Sequence, residues 1–161
     1  MAGPGLWFED FTVGATFETP GRTITESDLM AFAGLSGDFN PIHTDHVYAA
    51  ATPYGKPVVY GVLVLSIVTG LTARLGIFDG TTIAMLGIED WRFLKPVFVG
   101  DTIRVHLTIR DMRPASHPQR GILMREYHVV NQRDEIVQNG FINLMVRRRP
   151  TDGGATESET L

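Results

Sequence analysis

From residue 82 onward the chain changes period. Ile103, Val105, Leu107 and Ile109 alternate with polar residues, the pattern of a strand buried on one face. Four such stretches are predicted: Thr82 to Leu94, Asp101 to Met112, Gly121 to Asn131 and Ile136 to Arg147. The intervening runs, Pro96…Gly100-Asp101, Pro114…Pro118…Gly121 and Gln132-Arg133-Asp134, carry turn residues that suit antiparallel neighbours.

The first half has helical spacing instead. Thr25-Glu26-Ser27-Asp28 resembles a capping box, with Asp in place of the usual Glu. Leu29, Phe32, Ala33 and Leu35 come next as the apolar face of a helix running to about Ser36. Gly37 to Pro41 breaks it, and Thr44 to Thr52 predicts a second short helix with Val47 and Ala50 inward. Before these, Trp7 to Val13 reads as an extended arm, and Ala15 to Ile24 as an edge strand bent at Pro20-Gly21.

Between the halves, Val58 to Ala73 is almost wholly apolar. It falls short of the roughly 20 apolar residues of a bilayer span, and Arg74 closes it. A helix apolar all round is a core element, predicted to run to about Gly76 and to bury Val62, Leu63, Leu65, Ile67 and Val68. Helices succeeded by antiparallel strands make an α+β domain in which the sheet wraps this one helix. The predicted organisation is a single domain over 1–148 and a disordered polar tail over 149–161. The exposed sheet edge predicts a homodimer.

Composition narrows the function. At 161 residues, 43% apolar and 20% charged, the chain fits one globular domain. A net charge of −4 argues against a nucleic-acid partner, and the shortness of the apolar run argues against a membrane one. With no cysteine, disulfides, thiol catalysis and Cys-ligated metals are excluded. The amino-terminal stretch MAGPGLWFEDF has no basic, apolar leader, so a cytoplasmic location is expected.

The candidate chemistry sits in Ser36 to Gly70. Asp38 and His43 flank an Asn-Pro turn whose shape is set by Pro41, which disfavours the α conformation at Asn40. That turn can bring carboxylate and imidazole to one water, with Asn40 holding the loop or orienting one of the pair. Gly61, 18 residues after His43, opens the apolar helix. Its N–H is unpaired and unshielded there, an oxyanion donor of a kind worth roughly 3 kcal/mol in other enzymes. Each feature also has a plainer reading. Asp-x-Asn-Pro is ordinary turn chemistry, a lone histidine is commonly structural, and a helix glycine can simply permit close packing. Asp38, His43, Asp45 and His46 lack the spacing of a metal site, so no metal is expected.

The run Leu35-Ser36-Gly37-Asp38-Phe39-Asn40-Pro41-Ile42-His43 resembles the hydratase-2 motif of the MaoC-like dehydratases, which include the R-specific enoyl-CoA hydratases. The likeness continues through Gly61-Val62-Leu63, Thr69-Gly70-Leu71 and the stretch from Trp91 to Asp101. It implies a hot-dog fold, a homodimer, an acyl-CoA thioester substrate and no cofactor. It also implies syn hydration of a trans-2-enoyl-CoA, with Asp38 and His43 holding the water and Gly61 N–H binding the thioester oxygen. Asn40 would support the loop, and Thr69 would stand behind the pair. Tyr60 departs from the family pattern, which has histidine before the oxyanion glycine. A hot-dog thioesterase or a non-catalytic acyl-CoA-binding subunit are the competing readings.

Overall fold

The computed structural model describes residues 5–150. An antiparallel sheet dominates it, built from β1 (Thr16–Glu18), β2 (Arg22–Thr23), β3 (Thr82–Phe93), β4 (Thr102–Pro114), β5 (Arg120–Val130) and β6 (Ile136–Arg147). The strands lie in the order β1-β4-β5-β6-β3, with β2 continuing alongside β4. The alternation read from β4 holds: Ile103, Val105, Leu107 and Ile109 are all fully buried. They face α4 (Gly61–Ala73), the apolar helix, across one hydrophobic core.

Three shorter helices precede α4: α1 (Glu26–Ser36), α2 (Pro41–Thr44) and α3 (His46–Ala50). Thr25 and Asp28 form the reciprocal cap of α1, and Gly37 ends it in the left-handed conformation. Within α1, Leu29 and Ala33 are buried, whereas Leu35 stands 85% exposed. Leu35 lies about 200° around the helix from Ala33, too far to share its face.

Other expectations are corrected. The arm over Trp7 to Val13 contains one turn of 3-10 helix, Phe8–Asp10. The predicted helix over Thr44 to Thr52 starts two residues later, because Pro41–Thr44 forms its own turn and Asp45 caps α3. That shift rotates α3, so Ala49 points inward while Val47 is exposed. The central helix ends at Ala73, and two further turns lead to Gly76 at φ +69°. It is also not enclosed on every side, since Val62 is 55% exposed. No helix among the described residues is long and apolar enough to cross a membrane. Arg148 and Arg149 pair with Glu9 and Asp10 respectively. The remainder of the predicted tail, 151–161, lies outside the described residues.

Strand β3 is an edge, and its apolar side chains are bare: Ile83, Met85, Leu86 and Ile88 are all exposed. Its pairing with β6 is irregular. Glu89 stands opposite Phe141 and Arg92 opposite Asn139, so Asp90 and Trp91 together face Gly140. This is a β-bulge, one extra residue that bends the strand. Asp90 takes φ +48° within it. A Cβ on Gly140 would lie 2.7 Å from the Trp91 backbone Cα. Backbone cannot move aside cheaply, so Gly140→Ala is expected to cost about 1–3 kcal/mol of stability. A shift in the denaturant unfolding midpoint measures it.

Candidate active site

The loop between α1 and α2 carries Asp38. Its Oδ1 accepts the Asn40 N–H at 3.1 Å, a local turn that leaves Oδ2 outside this bond. Asn40, with ψ 129°, is extended as a residue before proline should be, and its Oδ1 accepts the Ile42 N–H at 3.2 Å. Asn40 therefore caps α2, and Pro41 occupies the first helical position, where a missing N–H does no harm. Asp38 is exposed at the surface of the single chain.

Helix α2 places His43 two residues beyond that proline. Its Nδ1 lies 2.6 Å from the Val58 carbonyl oxygen. A carbonyl only accepts, so Nδ1 carries the proton and Nε2 is left to accept or pass one. Val58 N–H donates in turn to Ile42 O at 3.1 Å, so both backbone groups of Val58 are used to seat α2. Asp45 accepts from Val47 and Tyr48 N–H groups at the start of α3, and His46 approaches Glu26 at 3.6 Å.

Tyr60 joins the two halves of the site. Its hydroxyl donates to the Asp38 carbonyl oxygen. Its ring lies 3.8 Å from that of His43, centroid to centroid, and 5.1 Å from that of Phe32. Burial raises the phenol's pKa, and the negative charge of Asp38 raises it further, so it stays a neutral donor. The residue standing where the family pattern has histidine thus ties the Asp38 loop to the imidazole.

Gly61 begins α4, and Tyr60, its N-cap, makes no side-chain hydrogen bond to the amides of that helix. The Gly61 N–H is one of the four amides that a helix leaves without an internal acceptor. A Cβ on Gly61 would stand 2.7 Å from Phe93 ring carbons, so the bare backbone is what lets β3 and α4 approach here. Thr69 stands two turns along α4, exposed, with its hydroxyl donating to Ser66 O at 2.7 Å. Asp38, His43, Asn40, Tyr60 and Gly61 therefore share one neighbourhood, and Thr69 bonds within its own helix.

Sequence reading missed Val58, Phe93 and Gln138. Val58 acts through its backbone, which leaves no trace in the side-chain pattern. Gln138 is 2% exposed and bonds to the Gly61 carbonyl. A polar residue on the inward face of a strand was the available signal. Beside the site, a groove of about 580 Å³ runs between α1 and α4. Phe32, Leu63, Ile67 and Leu71 line it, Arg74 stands at its far end, and Phe32 is also the ring against Tyr60.

These features define a domain whose sheet packs on a central helix, with the segment that carries Asp38 and His43 beside that helix's amino terminus. The chain belongs to the MaoC-like family: a model described as "MaoC like domain" matches residues 10–129. It is 41% identical over 104 residues to Protein MaoC of Klebsiella aerogenes, covering 65% of this chain and 30% of that one. It is 37% identical over 87 residues to an (R)-specific enoyl-CoA hydratase of Aeromonas caviae, covering 54% and 63%. The chain thus spans less than two thirds of either relative. A crystal structure named as a monoamine oxidase regulatory protein of Archaeoglobus superposes with a TM-score of 0.86 at 37% identity, covering 93% of this chain and 99% of that one. A Mycobacterium tuberculosis protein described as a double hotdog fold superposes at 0.80 with 21% identity, covering 94% and 47%. The fold is a hot-dog.

Proposed function

We propose that this chain is a hydro-lyase that reversibly adds water, syn, across the double bond of a trans-2-enoyl-CoA to give an (R)-3-hydroxyacyl-CoA. The observation that carries this reading is the His43 imidazole, fixed by Nδ1 on Val58 with Nε2 open, and joined through Tyr60 to the loop of Asp38. The resemblance to the Aeromonas hydratase supports it.

In this reading Asp38 and His43 Nε2 hold one water. Asp38 takes a proton from it as its oxygen bonds to C3. The electrons of the double bond move toward the thioester oxygen, and the Gly61 N–H meets the growing charge. The proton that Asp38 has taken passes through His43 Nε2 to C2, so the carboxylate and the Nδ1-protonated imidazole end as they began. One water is consumed, and no cofactor takes part. The bare apolar side chains of β3 pair with a second copy, so the working unit is a homodimer in the cytoplasm.

The test is a panel of trans-2-enoyl-CoA thioesters of varied tail, monitored by loss of the conjugated-enoyl absorbance. Release of free CoA without hydration, detected with a thiol reagent, would point to a thioesterase instead. Binding without turnover would point to a non-catalytic subunit.

The groove along α4 would receive the acyl tail. Gly70 lines it, and a Cβ there meets nothing within 4 Å. Gly70→Leu should therefore fold normally and shorten the longest accepted acyl chain by several carbons. Unchanged chain-length preference would remove the groove from the substrate path.

A further inference from the structure

The bulge at Asp90 turns Trp91 onto bare Gly140, where a Cβ would also stand 2.7 Å from the indole Cε3. From that seat Trp91 Nε1 donates to Gln138 Oε1 at 3.0 Å. Gln138 Nε2 donates in turn to the Gly61 carbonyl oxygen at 3.0 Å. The direction of this chain is fixed chemically: an indole N–H can only donate and a carbonyl can only accept, so the amide has one compatible orientation. Gln138 is nearly inaccessible to water, at 2% exposure. A buried amide with both ends satisfied holds position far better than a surface one.

The Gly61 carbonyl sits one peptide beyond the amide proposed as the oxyanion donor. Helix bonding alone would fix α4 internally but leave its first turn free to shift against the sheet. The Gln138 bond ties that turn to β6, while the Phe93 ring closes on Gly61 from β3. We propose that Gln138 is a positioning residue that, braced by Trp91, holds the first turn of α4 so that the Gly61 N–H meets the thioester oxygen. This rests on the hydratase reading above. Gln138 touches neither water nor substrate in it.

The experiment compares Gln138→Met, which keeps the side chain's length without a donor, with Trp91→Phe, which keeps a ring on Gly140 but loses the brace. Displacement of a reacting group by about 1 Å can cost roughly a hundredfold in rate. Gln138→Met is expected to lower kcat about ten- to a hundredfold with KM changed less than threefold. Trp91→Phe should show a smaller fall in kcat with the fold intact. The double variant should be no worse than Gln138→Met, since both act on one relay. In both single variants the 1H–15N resonances of Gly61 and Val62 should move, and their amides should exchange faster, with α4 beyond Ser66 unaffected.

Unmoved Gly61 and Val62 resonances in the two variants would overturn the anchoring. So would wild-type kcat in Gln138→Met, or a loss spread evenly over α4 that tracks global unfolding. A wild-type protein inactive on every enoyl-CoA would instead sink the hydratase reading, and the Gly61 resonances would still decide whether Gln138 anchors the helix start.

Discussion

Asp38→Asn is expected to reduce enoyl-CoA hydration by roughly a hundred- to ten-thousandfold, the range for losing a positioned general base. The substitution is chosen because it spares the structure. Asparagine keeps an Oδ1 that can accept the Asn40 N–H, so the turn into α2 survives. The Tyr60 hydroxyl bonds to the backbone carbonyl of residue 38, not to its side chain, so that tie survives too. The loss is confined to the carboxylate's capacity to take a proton from water. His43→Gln should act comparably, since an amide can donate toward Val58 O but cannot shuttle a proton. Both variants should retain the wild-type circular dichroism and unfolding midpoint. Near-normal turnover in both would remove Asp38 and His43 from the chemistry and leave them as loop and packing residues.

Gly61→Ala is the second large effect, expected at roughly a hundred- to thousandfold in kcat, as for loss of one oxyanion donor. Alanine is a better helix former than glycine, so a simple loss of α4 is not the cause. The added methyl would stand 2.7 Å from the Phe93 ring, inside any normal contact. Either the ring or the helix start must shift. Pairing the change with Phe93→Leu separates the two consequences. If the double variant recovers wild-type kcat, displacement of the ring was responsible, and the amide itself is unaffected by a Cβ. If the loss persists, the methyl obstructs the approach of the thioester oxygen to the N–H. Wild-type kcat in Gly61→Ala alone would show that no substrate atom comes near this amide.

Much of this architecture could be read from residue order because it is governed by local rules. The alternation of β4 places Ile103, Val105, Leu107 and Ile109 on one face whatever lies opposite, and the structure buries all four. Thr25 and Asp28 cap α1 through contacts three residues apart. The Asp38-to-His43 turn is likewise local: Pro41 extends Asn40, and Asn40 caps α2. Errors arose where a face depends on a helix's starting residue. The second short helix begins at His46 and not at Thr44, so Ala49 replaced Val47 and Ala50 on the inside.

Residue order by itself determined the strands, the capped helices and the loop that carries a carboxylate and an imidazole, since these arise from backbone preference and side-chain period over a few residues. Tertiary structure alone decided which ring nitrogen of His43 is open, through the Val58 carbonyl, and what Tyr60 does beside it. It also decided that Gln138, 77 residues beyond Gly61, grips the start of the central helix. Those contacts join segments distant along the chain, and their partners are largely backbone atoms, which every residue possesses and no sequence pattern marks.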